Sequence, residues 1–123
     1  MPEKPSAVDE RVTALLPMRP PDYHILFVLL DGECHGYRMV KEIARQTEGQ
    51  IRMDAGNLYR SIRRLMKDGL VVESDRRPAP ESDDERRRYY RVTALGESVF
   101  AAETDRMRSM VAAAEARVRE VKA

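Results

Sequence analysis

Residues 57–70 read "NLYRSIRRLMKDGL", and the face this stretch keeps dry decides the fold. Leu58, Ile62, Leu65 and Met66 recur at i, i+4, i+7 and i+8, one side of a 3.6-residue repeat. At about 100° per residue, Arg60, Arg63, Arg64 and Lys67 gather on the other side, and the first acid is Asp68. A surface serving only solubility mixes its signs. Four cations on one short helical arc imply an anionic partner.

Upstream, "DAGN" (54–57) supplies Asp54 or Asn57 as N-cap, with Gly56 relaxing the turn. "CHGYRMVKEIARQTEGQ" (34–50) predicts a helix from about Gly36 to Thr47, with Tyr37, Val40, Ile43 and Ala44 as its buried stripe and Gly49 as its stop. "DYHILFVLLDG" (22–32) predicts another, with Pro21 in its first turn and Ile25 to Leu30 at the centre of the core. "IRM" (51–53), between two helices, is expected to be a small edge strand. Residues 1–8 read as a loose arm, and 9–16 as a short helix carrying Val12, Leu15 and Leu16 before Pro17, Pro20 and Pro21 break the chain.

Downstream the period changes. "LVVESD" (70–75) and "RRRYYRVT" (86–93) are rich in Val, Tyr and Thr and predict two strands around the polar loop "RRPAPESDDE" (76–85). Tyr90 and Val92 share the inward face, Tyr89 and Arg91 the other. Thr93 then caps a helix from Ala94 to about Val121. The fold class is therefore mainly α with a small β hairpin: an N-terminal arm (1–19), a winged helix-turn-helix DNA-binding domain (20–93) and a C-terminal dimerisation helix (94–123). Residues 57–70 fall on the helix that enters the major groove in that architecture.

Length and composition agree with one domain. The net charge of +1 says nothing about partners, but residues 52–92 hold 11 basic against 8 acidic residues, four of the acids in one loop, so the positive footprint is local. Cys34 is the single cysteine, which excludes an internal disulfide and a cysteine metal site. His24 and His35 have no ligand spacing. No nucleophile–base pairing or glycine-rich phosphate loop is present, so neither an enzyme nor a cofactor is expected. The longest apolar run is too short to span a bilayer, and the expected location is cytoplasmic.

Double-stranded DNA is the expected partner. Arginine can fork onto guanine O6 and N7. Asn57, Arg60 and Arg64 are expected at base edges, Arg63 and Lys67 at the backbone. Tyr37 and Tyr59 can bury their rings and offer hydroxyls to phosphates, and for Tyr37 plain core packing is an equal reading. The hairpin carries Arg76, Arg77, Arg86, Arg87 and Arg88, suited to a minor groove or phosphates, with Glu81, Asp83, Asp84 and Glu85 nearby. The alternative is a winged-helix protein-interaction module whose basic helix is merely solvated. In the last helix Phe100, Thr104, Met107, Val111, Ala114, Val118 and Val121 step by 4 and 3, a heptad seam expected to pair two copies. The competing reading folds this helix back on its own core.

The chain resembles the PadR family of bacterial transcriptional regulators. The matching segments are "FVLLDGECHGYRMVKEI", "AGNLYRSIRRLMKDGLV" and "RRRYYRVTALGE", spanning about Pro20 to Glu97. The resemblance implies a homodimeric repressor, a single C-terminal dimerisation helix as in the shorter branch, and operator contacts from Asn57, Tyr59, Arg60, Arg63, Arg64 and the hairpin arginines, with Tyr37 as the tyrosine of His-Gly-Tyr. It leaves room for a small-molecule effector whose identity the residues do not name. Relatives that hold flat drugs do so between tryptophans, and this sequence has none. Cys34 would be the only redox handle.

Overall fold

The computed structural model describes residues 7–75 and 88–122. Five helices and three short strands follow in the order α1 (Ala7–Ala14), α2 (Pro20–Leu29), β1 (Cys34–His35), α3 (Gly36–Gln46), α4 (Ala55–Lys67), β2 (Val71–Glu73), β3 (Tyr89–Val92) and α5 (Ala94–Lys122). This is the expected mainly helical fold with a hairpin and a long last helix. The strands form one antiparallel sheet in the order β1-β3-β2, with Val71 opposite Val92 and Cys34 opposite Tyr90. Among the described residues, no helix is long and apolar enough to cross a membrane.

Burial follows periodicity. Ile25, Leu26 and Leu29 of α2, Met39 and Ile43 of α3, and Leu58, Ile62 and Leu65 of α4 meet in one core, closed by Leu70, Val71, Tyr90 and Val99. Each such side chain contributes about 1.5–3 kcal/mol. Val12 of α1 joins this core, with Leu15, Leu16 and Met18 packed against it, so the segment before α2 is integrated into the fold. Caps mark the boundaries. Asp54 accepts from Asn57 N at 2.8 Å to start α4, and Thr93 Oγ1 accepts from Gly96 N at 3.0 Å to start α5. Gly69 ends α4 at φ +79°, the left-handed position after a helix that glycine takes without a Cβ clash. Gly36 serves a close approach: a Cβ there would sit 2.7 Å from the Tyr59 hydroxyl and 3.1 Å from Leu58 Cδ2, so its absence lets α3 and α4 meet.

Three sequence expectations change. Residues 51–53 form no strand. Ile51 N donates to Thr47 Oγ1 at 3.0 Å instead of to a neighbouring strand, and Cys34–His35 takes the edge beside β3. In α3 the buried stripe is Met39 and Ile43, with Val40 half-buried, whereas Tyr37 is 56% exposed. In α4, Ser61 is buried and Met66 exposed, so the dry face is turned toward α2.

The last helix holds a buried acid that the heptad pattern does not mark. Glu103 lies against the α1–α2 connection, accepting from Met18 N at 3.0 Å and from Arg106 Nη2 at 3.0 Å. Its carboxyl is held below the ordinary range, first by Arg106 and against the opposing effect of burial, with the Met18 N–H reinforcing the shift. A lowered carboxyl pKa contributes stability that is whole above the unfolded-state value of about 4.3 and is lost as pH falls through the folded-state value. Glu103→Gln is expected to cost about 1.5–3 kcal/mol at neutral pH and to flatten the acid-side loss of stability. Urea unfolding at a series of pH values checks this, and parallel profiles for the two proteins would contradict it.

Candidate nucleic-acid interface

Helix α4 presents the site. Leu58, Ile62 and Leu65 anchor one side in the core, which fixes the direction of the other. Arg60, Arg63 and Lys67 are exposed on that other side, and among the described residues none of the three is in an ion pair. Asn57 sits at the helix start between two charges. Its Nδ2 donates to Asp54 Oδ2 at 3.2 Å, and its Oδ1 accepts from Arg60 Nη2 at 2.5 Å. The Arg60 guanidinium is thereby held at the N-terminal end of the exposed arc.

Arg64 departs from the expected arrangement. It does not extend with Arg60 on the open face. Its Nε and Nη2 donate to both carboxylate oxygens of Asp22 in the first turn of α2, at 2.9 and 2.7 Å, and Nη2 also reaches Ser61 Oγ at 3.2 Å. The Asp22 side chain is 8% exposed and that of Arg64 34%. The Arg64 pKa is raised, first by the hydrogen bonds to Asp22 and against partial burial, so the guanidinium stays charged. The physical reason is angular. Arg64 lies at the edge of the basic arc beside Ser61, one step from the face packed on α2. The pair is a bidentate strut between α2 and α4.

Tyr37 stands in solvent at the first turn of α3 with Lys41 Nζ 4.5 Å over its ring, which corrects the core-packing reading for that residue. Tyr59 is half-buried against the α3 N-terminus. His35 caps α3, its Nδ1 accepting from Arg38 N at 3.1 Å, and its ring stands edge-on to Tyr89 at 5.4 Å. Of the hairpin arginines, Arg88 is exposed, 3.9 Å from Glu73. Arg76, Arg77, Arg86 and Arg87 lie outside the described residues, as do the acids of that loop. Cys34 is buried, and burial pushes its thiol pKa up, the opposite of what a redox handle requires.

The heptad residues of α5 divide into two groups. Phe100 stacks on Tyr23 with ring centroids 4.6 Å apart and meets Phe27 edge-on at 5.8 Å. Thr104 Oγ1 donates to Phe100 O, which leaves the Tyr23 hydroxyl as donor to Thr104 at 2.7 Å. These two therefore serve docking onto α2 within the chain. Met107 is half-buried. Beyond it, Val111, Ala114, Val118 and Val121 are exposed, together with Met110. Sequence reading missed Asp22, Glu103, Arg19 and Arg52. An acid after Pro20-Pro21 reads as an ordinary first-turn residue, and nothing local announces its partner 42 positions away.

Residues 25–102 match the model of the Transcriptional regulator PadR-like family. A transcriptional regulator of Mycobacterium tuberculosis is 36% identical over 77 residues, 63% of this chain and 65% of that protein, so the match spans somewhat less than two thirds of the relative's length. Among solved structures, a transcriptional regulator from Clostridium thermocellum superposes with TM-score 0.65 at 22% identity, covering 86% of this chain and 95% of that one. A PadR family regulator from Clostridium difficile gives 0.66 at 20% identity, covering 80% and 97%. Bacillus subtilis PadR, solved in complex with operator DNA, gives 0.58 at 18% identity, covering 68% and 46%.

Proposed function

This chain belongs to the PadR-like family of transcriptional regulators, and from that membership we propose that it is a homodimeric, sequence-specific repressor whose α4 and β2–β3 hairpin bind a palindromic operator. The observation that carries the reading is the exposed row of Arg60, Arg63 and Lys67 on a helix whose opposite face is locked into the core. A duplex presents about one negative charge per 1.7 Å of axis, and cations aligned on it gain affinity by releasing counterions. The operator complex of the Bacillus subtilis relative supports the same use of the fold. Asn57 and Arg60 read base edges. Arg63, Lys67, Tyr37, Tyr59 and the hairpin arginines, Arg88 among them, hold phosphates or a groove edge. Arg64 braces α4 through Asp22. Two copies joined through the distal half of α5 place their α4 helices about one helical turn apart, ~10 bp.

The test is binding of the full chain to duplexes from its own upstream region at two salt concentrations, beside a scrambled duplex. Tight, selective binding that weakens steeply with salt is expected. Equal binding to both duplexes would leave a generic DNA binder, and no binding at low salt would favour a protein-interaction module. Two substitutions divide the labour within α4. Arg60→Ala is expected to cost about 1–3 kcal/mol and relax one base position. Unchanged affinity and selectivity would remove Arg60 from the site. Lys67→Ala is expected to weaken all sequences evenly and lower the salt slope by about 1. A loss confined to one sequence would contradict its phosphate role.

A further inference from the structure

A cleft of about 520 Å³ opens beside α4, between its first turns, the start of α2 and the 51–53 connection. Four arginines line it: Arg19, Arg52, Arg60 and Arg64, with Asn57 and Ser61. Of these only Arg64 has a carboxylate, and that carboxylate, Asp22, is taken on both oxygens. Among the described residues, Arg19, Arg52 and Arg60 are in no ion pair. Three arginines without an ion-pair partner along one concavity, with the Arg52 guanidinium lying over Gly49 at its side, make the cleft electropositive and favour an anion there. Helix α2 begins at Pro20 on the cleft wall, so the positive end of its dipole adds the same sign. None of this is visible in residues 57–70, because Arg19 and Arg52 come from separate connections that only the packing of α2 on α4 brings together.

We infer that this cleft is a phosphate-binding site formed by Arg19 and Arg52 beside the base-reading Arg60, and that its occupant is a backbone phosphodiester of the duplex bound by α4. The inference rests on the DNA-binding reading above. Continuity selects the duplex as the phosphate source: Arg60 and Asn57 belong both to the cleft wall and to the exposed arc, so a strand contacted along α4 runs past the cleft mouth. The footprint then extends from α4 onto the start of α2.

The test compares the full-length protein with Arg19→Ala/Arg52→Ala, both exposed positions, with circular dichroism confirming the fold and Arg19→Gln/Arg52→Gln as a second variant. Affinity for an upstream-region duplex and a scrambled one is followed over a salt series. In parallel, pyrophosphate is titrated into the protein without DNA. The expected result is a loss of about tenfold or more for both duplexes, an unchanged ratio between them, and a salt slope reduced by roughly one per lost phosphate contact. Unchanged affinity and slope in a wild-type protein that binds DNA would overturn the inference, and so would a loss restricted to the specific duplex. Pyrophosphate binding that the variant loses while its DNA binding stays intact would assign the cleft to a free phosphorylated solute and overturn the duplex as occupant. A wild-type protein that binds neither duplex would sink the underlying reading. The cleft's phosphate chemistry is then judged by pyrophosphate alone, with equal binding by both proteins, or none, overturning it.

Discussion

Val111→Glu together with Val118→Glu is expected to leave the protomer folded, to yield monomers, and to lower affinity for a palindromic duplex about 10²–10⁴-fold through loss of the linked second half-site. The two valines are 54% and 49% exposed on the protomer, so the substitution removes little from its own core. Val121, at 84%, and Met110 continue the apolar surface along the same half of α5. A stripe of this kind gains by meeting a second copy of itself, and four introduced carboxylates per pair would have to be desolvated at that seam. Met107 is the less informative site, because its partial burial mixes protomer stability with pairing. Light scattering reads the association and circular dichroism the fold. A dimer that survives both substitutions would place the seam elsewhere, and a monomer that keeps full operator affinity would remove the requirement for pairing.

The second large effect concerns the strut between α2 and α4. Removing one partner of a buried ion pair leaves the other charge without compensation, at a cost of about 3–5 kcal/mol. Because Arg64 keeps a third of its side chain in water, the lower end, about 3 kcal/mol, is expected for Asp22→Ala. Asp22→Leu with Arg64→Met is expected to recover most of that loss, since an apolar pair of similar volume avoids the desolvation cost. Denaturant unfolding of the single and double variants gives the coupling. The same double variant decides what Arg64 does. Retained operator selectivity agrees with a bracing role, whereas a relaxed base position would mean that Arg64 leaves Asp22 to read DNA.

Local rules carried much of this molecule. The helices around Ile25, Ile43 and Ile62, the Asp54 and Thr93 caps, the stop at Gly69 and the two strands of the hairpin all follow from contacts within a few residues or from strand composition and alternation. The basic arc of α4 belongs to the same class, since a helix determines which of its own residues share a side. What periodicity leaves open is how that side is oriented against other elements. The docking of α2 on α4 turned Arg64 away from Arg60 and toward Asp22. The docking of α5 on α2 drew Phe100 and Thr104 out of a uniform seam and placed them on Tyr23. It also buried Glu103 beside Met18. The sheet edge went to Cys34–His35, while the Ile51 N–H bonds Thr47, an outcome invisible in "IRM" itself. Arg19 and Arg52 line one cleft with Arg60 for the same reason. Side-chain spacing within a helix or strand is set by backbone geometry, which the local sequence determined. Pairings between residues distant in sequence depend on the relative placement of whole elements, and that only the packed tertiary structure decided.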